Sequence, residues 1–158
     1  MAVSVRRARN GDEAAVAEFL IKLVVQHVGY DPDRFADFVT KEGAAAFYAS
    51  RFGADEARVL VAEIDGELIG FAYLEFEERN YEELVCRGVW LHDIFVEKEF
   101  RSTGAGKALM EASIAAASEM GGTKLLLGTA ARNTAARAFF EGFGFRATMV
   151  EMTLNLDR

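Results

Sequence analysis

Residues Arg101-Ser102-Thr103-Gly104-Ala105-Gly106-Lys107 concentrate the residue types that hold a phosphate. Two glycines remove Cβ atoms, so an anion can come close to the main-chain amides. The arginine and the lysine add charged donors. A charged break, Glu97-Lys98-Glu99, precedes the stretch, and Lys107-Ala108-Leu109-Met110-Glu111-Ala112 opens an alanine-rich helical segment behind it. The first N–H groups of such a helix lack partners within it and carry the positive end of its dipole. The ligand feature this predicts is a phosphate or pyrophosphate. Just upstream, His92 and Asp93 interrupt the apolar run Leu91–Val96 and are the groups on that strand able to take a proton from a nucleophile.

Two familiar phosphate motifs do not fit. A nucleotide loop of the form GxxxxGK[ST] requires a glycine where Arg101 stands and a hydroxyl where Ala108 stands. A dinucleotide fingerprint requires a third small residue where Leu109 stands. What fits is R/Q-x-x-G-x-G/A, carried by Arg101, Gly104 and Gly106. A second block follows, Asn133-Thr134-Ala135-Ala136 leading into Phe140-Glu141-Gly142-Phe143-Gly144-Phe145, similar to N-x-x-A…(Y)-E-x-x-G-F. A helix-capping loop with ordinary glycines would account for the first block alone, but not for both at this spacing. In these blocks the chain resembles the GNAT family of N-acetyltransferases, strongly over its C-terminal half and by element order over the rest.

Two histidines and one cysteine give no recognisable zinc pattern, so no metal is expected. The resemblance implies acetyl-CoA as donor and cosubstrate and a primary amine as acceptor. It implies that main-chain groups of Ile94, Phe95 and Val96 bond the pantetheine arm and the thioester oxygen, with the Phe95 N–H as the expected oxyanion donor. It puts the pyrophosphate on Arg101, Ser102, Thr103, Gly104, Ala105, Gly106 and Lys107, and brings Asn133 to the pantetheine. Phe140 stands where the family often has a tyrosine that protonates the departing sulfur; phenylalanine cannot donate, leaving solvent, Tyr81, Tyr73 or Ser102. Trp90 replaces a glutamate found in many members. The wording LHDIFV is closest to small-amine and diamine acetyltransferases, which read L-E-D-F-F-V, so His92 takes the place of a glutamate proposed as base. Period two sets His92 and Asp93 on opposite faces unless a bulge intervenes, so one of them, with His92 favoured, is expected to face the acceptor. Direct transfer needs no covalent intermediate, and Cys86 reads as a strand cysteine.

The elements that must position these groups follow from periodicity. Val3–Ala8 is an expected strand, and Asn10 or Asp12 caps a helix running to about Val28 with an apolar stripe at Val16, Phe19, Leu20, Leu23, Val24 and His27. Pro32 can start a second helical region lined by Phe35, Phe38, Val39, Phe47, Tyr48 and Phe52; Tyr30, Phe35 and Phe38 could line an acceptor pocket. Arg58–Ile64, the turn Asp65-Gly66 and Glu67–Glu78 form a hairpin. Leu84–Val96, a crossover helix over 104–120, the apolar strand Thr123–Thr129, a helix over Ala131–Glu141 and a last strand Arg146–Leu156 complete the order β-α-α-β-β-β-α-β-α-β. This is a mixed α/β sheet of the acyl-CoA N-acyltransferase type in one acetyltransferase domain, 1–158.

Composition bounds the partners. A net charge of −7 over 158 residues argues against nucleic acid. No apolar run approaches a membrane span, the N-terminus lacks a signal-peptide core, and one cysteine suits a reducing compartment, so a cytoplasmic protein with no membrane partner is expected. Glu75, Glu77, Glu78, Tyr81, Glu82 and Glu83 form an acidic cluster, read as a solvated edge or as a rim attracting cations. The expected function is acetyl transfer to the amine of a small cationic molecule, with a homodimer compatible with the family. Protein N-terminal or lysine acetylation, or a non-catalytic acyl-CoA sensor, are the alternatives.

Overall fold

The computed structural model of the chain describes residues 2–157. Two compact units are distinguished: residues up to Leu23 with Val39–Gly128, and Val24–Phe38 with the residues from Thr129 on. The elements run β1 (Val3–Arg7), α1 (Glu13–Tyr30), α2 (Lys41–Arg51), β2 (Ala57–Ile64), β3 (Glu67–Asn80), β4 (Val85–Val96), a 3-10 turn (Lys98–Phe100), α3 (Ala105–Glu119), β5 (Lys124–Leu126) and α4 (Thr134–Gly142).

The first unit holds a mixed sheet in the order β1-β2-β3-β4-β5, antiparallel except for the parallel pair β4–β5. Its β2–β3 turn is the expected one, with Asp65 and Gly66 both at positive φ (50° and 81°). One face carries Val59, Val61, Phe71, Tyr73 and Phe95, buried against Val16 and Phe19 of α1 and Tyr48 of α2. The other face meets α3, whose Leu109, Met110 and Ser113 are fully buried. A bulge in β3 leaves Ile69 opposite the Ala62/Glu63 step, which moves Leu68 onto the face of Phe71, away from the face that strict alternation gives it. At the entry to α1, Asp12 is the cap: its carbonyl accepts from Val16 and its carboxylate accepts from the Arg9 amide and from both terminal nitrogens of Arg6. Asp31 to Thr40 are turn and irregular chain, not helix from Pro32. Thr40 provides the stronger start signal, its Oγ1 accepting from the Gly43 amide at 3.1 Å.

The second unit contains the end of α1 and α4. Arg132 donates to the Tyr30 carbonyl at 2.9 Å, and Phe139, Phe140, Phe143 and Phe145 form an aromatic cluster. The expected last strand, Arg146–Leu156, is not formed among the described residues. Its sequence alternates, but a strand exists only by pairing, and residues of both parities, Met149, Val150 and Met152, are exposed. Arg34 holds the segment through a two-pronged ion pair to Glu151, raising the guanidinium's pKa and lowering the carboxylate's. The strand expected over Thr123–Thr129 shortens to Lys124–Leu126, since only that part has a neighbour.

Candidate active site

Strand β4 carries the site because of one extra residue. Its register with β3 runs Phe95↔Phe71, Ile94↔Ala72, Asp93↔Tyr73 and then jumps to Leu91↔Leu74 and Trp90↔Glu75. His92 has no partner and is the bulged residue. The expectation that only one of His92 and Asp93 faces the acceptor side is therefore corrected: both line the same cleft. The His92 ring stacks on Tyr73, with centroids 5.4 Å apart.

The cleft has a volume of about 460 Å³. Besides His92 and Asp93 it is lined by Tyr73 and Glu75 of β3, by Leu20 of α1, and by Phe47, Tyr48 and Arg51 of α2. The buried Tyr48 hydroxyl donates to Asp93 Oδ2 at 2.7 Å, and Tyr73 donates to Glu75 Oε2. Burial, followed by the neighbouring Asp93 carboxylate, drives the Tyr48 phenol well above its ordinary pKa. Burial and then Glu75 do the same to Tyr73, opposed by the Arg51 charge. Both phenols therefore stay protonated and act as fixed donors. Each carboxylate in the cleft has a tyrosine holding it.

Sequence periodicity assigned Tyr48 to helix packing, left Glu75 undecided and gave Arg51 no role. Their shared signal is weak: Phe47, Tyr48 and Arg51 follow helical spacing on one face of α2, a pattern that core packing also produces. Tyr30, Phe35 and Phe38, expected as pocket residues, belong to the second unit. There Tyr30 accepts from Gln26, Phe35 packs on His27, and Phe38 is 82% exposed.

The other side of β4 is a main-chain edge. β5 pairs with β4 only as far as Trp90, so Leu91–Val96 run on without a parallel neighbour in this sheet. In an antiparallel ladder, alternate residues turn their N–H and C=O groups toward the partner. The Glu97 amide bonds the Ile69 carbonyl, and a Cβ on Gly70 would lie 2.4 Å from the Phe95 carbonyl oxygen. Glu97 and Phe95 therefore face β3, and Ile94 and Val96 face the open edge. The Val96 carbonyl accepts from Arg101 Nε at 3.0 Å on that edge. The Phe95 N–H is thus committed to the sheet, which corrects its expected role as oxyanion donor; the Ile94 amide is the one presented.

The loop that follows forms as expected. Lys98–Phe100 make a 3-10 turn, and Thr103 Oγ1 bonds the Phe100 carbonyl. Gly104 caps α3 at φ +88°, a left-handed conformation that costs a residue with a Cβ about 1–2 kcal/mol. No side chain caps the helix, so the amides of its first turn keep their donors for an anion. Arg101, Ser102, Thr103 and Gly104 are exposed there, and so is Lys107, which pairs with Glu111 at 3.7 Å. The Arg101 guanidinium lies over the Phe95 ring at 5.7 Å. A loop with free amides and positive side chains suits a pyrophosphate, and an open main-chain edge suits an amide-bearing arm such as pantetheine.

In the second unit, Asn133 caps α4, its side chain accepting from Ala136 at 3.1 Å. Phe140 is buried among Phe139 and Phe145. Of the alternative hydroxyls, Tyr73 lines the cleft, Ser102 is exposed in the loop, and Tyr81 sits at 80% exposure in the β3–β4 turn.

Comparison with known proteins agrees with this arrangement. Residues 26–145 match the Acetyltransferase (GNAT) family. An uncharacterized N-acetyltransferase of Bacillus subtilis (strain 168), YhfO, is 29% identical over 149 residues, covering 90% of this chain and 89% of its own. Among solved structures, a tetramutant of the BH1408 protein from Bacillus halodurans superposes with a TM-score of 0.82 at 19% identity, over 97% of this chain and 99% of that one. An aminoglycoside N-acetyltransferase, AAC(6')-Iy, in complex with CoA, gives 0.74 at 20% identity, over 99% and 96%. With its bulged β4, its open main-chain edge and its glycine-capped α3, the chain belongs to the GNAT acetyltransferase family.

Proposed function

We propose that this acetyltransferase uses acetyl-CoA to acetylate the amine of a small molecule that is cationic in solution. The observation that carries the reading is the bulge, which brings His92 and Asp93 into one cleft while the main chain beside them stays open. The AAC(6')-Iy complex with CoA supports the donor. The family match runs through both units, which supports one acetyltransferase domain over 1–158.

Acetyl-CoA supplies an activated acyl group: the amine nitrogen gains the new C–N bond, the C–S bond breaks, and the thiolate leaves with a proton. The chain's own residues do the rest. The first-turn amides of α3, with Arg101 and Lys107, hold the pyrophosphate. The edges of Ile94 and Val96 hold the arm, with the Ile94 N–H directed at the thioester oxygen. Asp93 and Glu75 attract the ammonium form of the acceptor. His92, partly in solvent and stacked on Tyr73, takes the amine's proton directly or through water. Tyr48 holds Asp93 in place through its hydroxyl.

The test is thiol release from acetyl-CoA against diamines and polyamines, aminoglycosides, amino acids and short peptides. Turnover confined to one class of small amine is expected. Turnover of peptides alone would move the acceptor to a protein terminus or lysine, and binding of acetyl-CoA with no acceptor turned over would make the chain an acyl-CoA sensor.

A further inference from the structure

The cleft holds charges of both signs, and they are not used alike. Its two carboxylates are each engaged by a tyrosine hydroxyl, Asp93 by Tyr48 and Glu75 by Tyr73. Its cation, Arg51, has only the Tyr73 hydroxyl oxygen beside it. Arg51 makes no ion pair among the described residues, and its Nε is buried with no hydrogen-bond partner. The guanidinium as a whole is half-buried, but an N–H out of water and without an acceptor is costly and calls for an explanation.

The side chain is nonetheless held in place. Its guanidinium lies over the Phe47 ring at 4.8 Å, one turn back on α2, and it stands in the last turn of that helix, where a cation is favoured. Both contacts use the face or the charge of the guanidinium; its N–H edge reaches the Tyr73 hydroxyl oxygen, and with five donors it has others to spare. Glu75 lines the same cleft, but its carboxylate is taken by Tyr73. A planar fork fixed by stacking, with spare donors and no carboxylate partner in a small-molecule cleft, is the arrangement that recognises a planar or tetrahedral anion.

We propose that Arg51 binds an anionic group of the acceptor, so that the acceptor is an amphoteric small molecule: an amine that also carries a carboxylate or a phosphate. The ammonium end goes to Asp93 and Glu75, and the anionic end to Arg51. A polyamine, positive along its length, would be repelled by Arg51 within the same cleft. The proposal rests on the acetyltransferase reading and revises its acceptor from a molecule cationic overall to one cationic at its amine end only.

The experiment compares amino acids and aminoalkyl phosphates with their uncharged amides or esters and with diamines, following thiol release from acetyl-CoA by the full chain and by Arg51→Gln. Melting temperature is read in parallel with each acceptor alone and with acetyl-CoA alone. The expected result is turnover concentrated in anionic amines, with kcat/KM about tenfold or more above that of the matched uncharged compounds. Which anion wins, carboxylate or phosphate, names the source. In Arg51→Gln the anionic acceptor loses that advantage through KM, the uncharged one is little changed, and the acetyl-CoA melting shift is retained. Diamines or uncharged amines as the best acceptors, or an equal loss for both kinds in the variant, overturn the proposal while leaving the acetyltransferase reading intact. If Arg51→Gln does not fold, the comparison in the unmutated chain decides alone. If no amine releases thiol, the reaction reading fails, and the melting shifts decide the pocket: no preference for anionic amines overturns it.

Discussion

His92 sits where its ring meets both Tyr73 and solvent, so its substitution bears on proton transfer rather than on folding. His92→Ala is expected to flatten the pH dependence of kcat/KM and lower its plateau by about 10²-fold or more. A pH–rate profile of unchanged shape removes His92 as the base. Tyr48→Phe tests the neighbour. It deletes the 2.7 Å hydrogen bond to Asp93, a bond to a charged group contributing about 1.5–3 kcal/mol. The expected outcome is a drop of about tenfold or more in kcat/KM with acetyl-CoA affinity unchanged, read by steady-state kinetics and a binding titration. His92 and Asp93 were legible in the sequence because titratable groups stand out in an apolar strand. Tyr48 was not, because an aromatic on a helix looks the same whether its hydroxyl ends in the core or on a carboxylate.

The glycine-capped helix makes a prediction at the level of the element. Gly104 needs its left-handed φ, and a Cβ there meets nothing within 4 Å, so backbone conformation and not space restricts the position. Asparagine tolerates that conformation better than most residues. Gly104→Asn is therefore expected to keep more of the melting temperature and donor binding than Gly104→Asp, which adds a negative charge beside the amides proposed for the pyrophosphate and is expected to abolish acetyl-CoA binding. Unchanged affinity in the aspartate variant would falsify the loop assignment. Thr40 tests the other supporting helix. Thr40→Ala removes the cap of α2 and costs about 1 kcal/mol, seen as a lower urea midpoint. Most helices and strands were legible from period alone; the bulges were not. Period gives faces only while register is constant, and the extra residues at Ile69 and His92 are absorbed by pairing between strands.

Across the molecule, Asp12 ties the first strand to the first helix and both to β2, since its partner Arg6 also bonds Glu63. The Arg6 hydrogen bond, against a burial penalty and with help from the Arg9 amide, holds the Asp12 carboxyl below its usual range. A depressed carboxyl pKa stabilises the fold fully above the unfolded value of about 3.9 and loses that contribution as pH falls through the folded value. Asp12→Asn is expected to cost about 1–2 kcal/mol at neutral pH and to weaken the acid slope of stability, measured by urea unfolding from pH 7 down to pH 3. A variant with the same slope as the parent would sink this account. The global order of elements was read correctly up to α4. The final segment was not, because alternation announces a capacity to pair and says nothing about whether an edge is there to pair with.

The bulge also implies that one position in β4 is optional to the architecture. Removing His92 altogether would leave Asp93 opposite Tyr73 and Leu91 opposite Leu74, with every side chain still on its present face. Deleting Leu91 or Ile94 instead would also remove the extra residue, but would put His92 in the buried place of Leu91 opposite Leu74, or Asp93 in the place of Ile94 opposite Ala72. A protein lacking His92 should therefore assemble its sheet and lose its chemistry. The proposed base is an insertion into an otherwise regular ladder, so gaining it or losing it by a single codon leaves the scaffold unbroken.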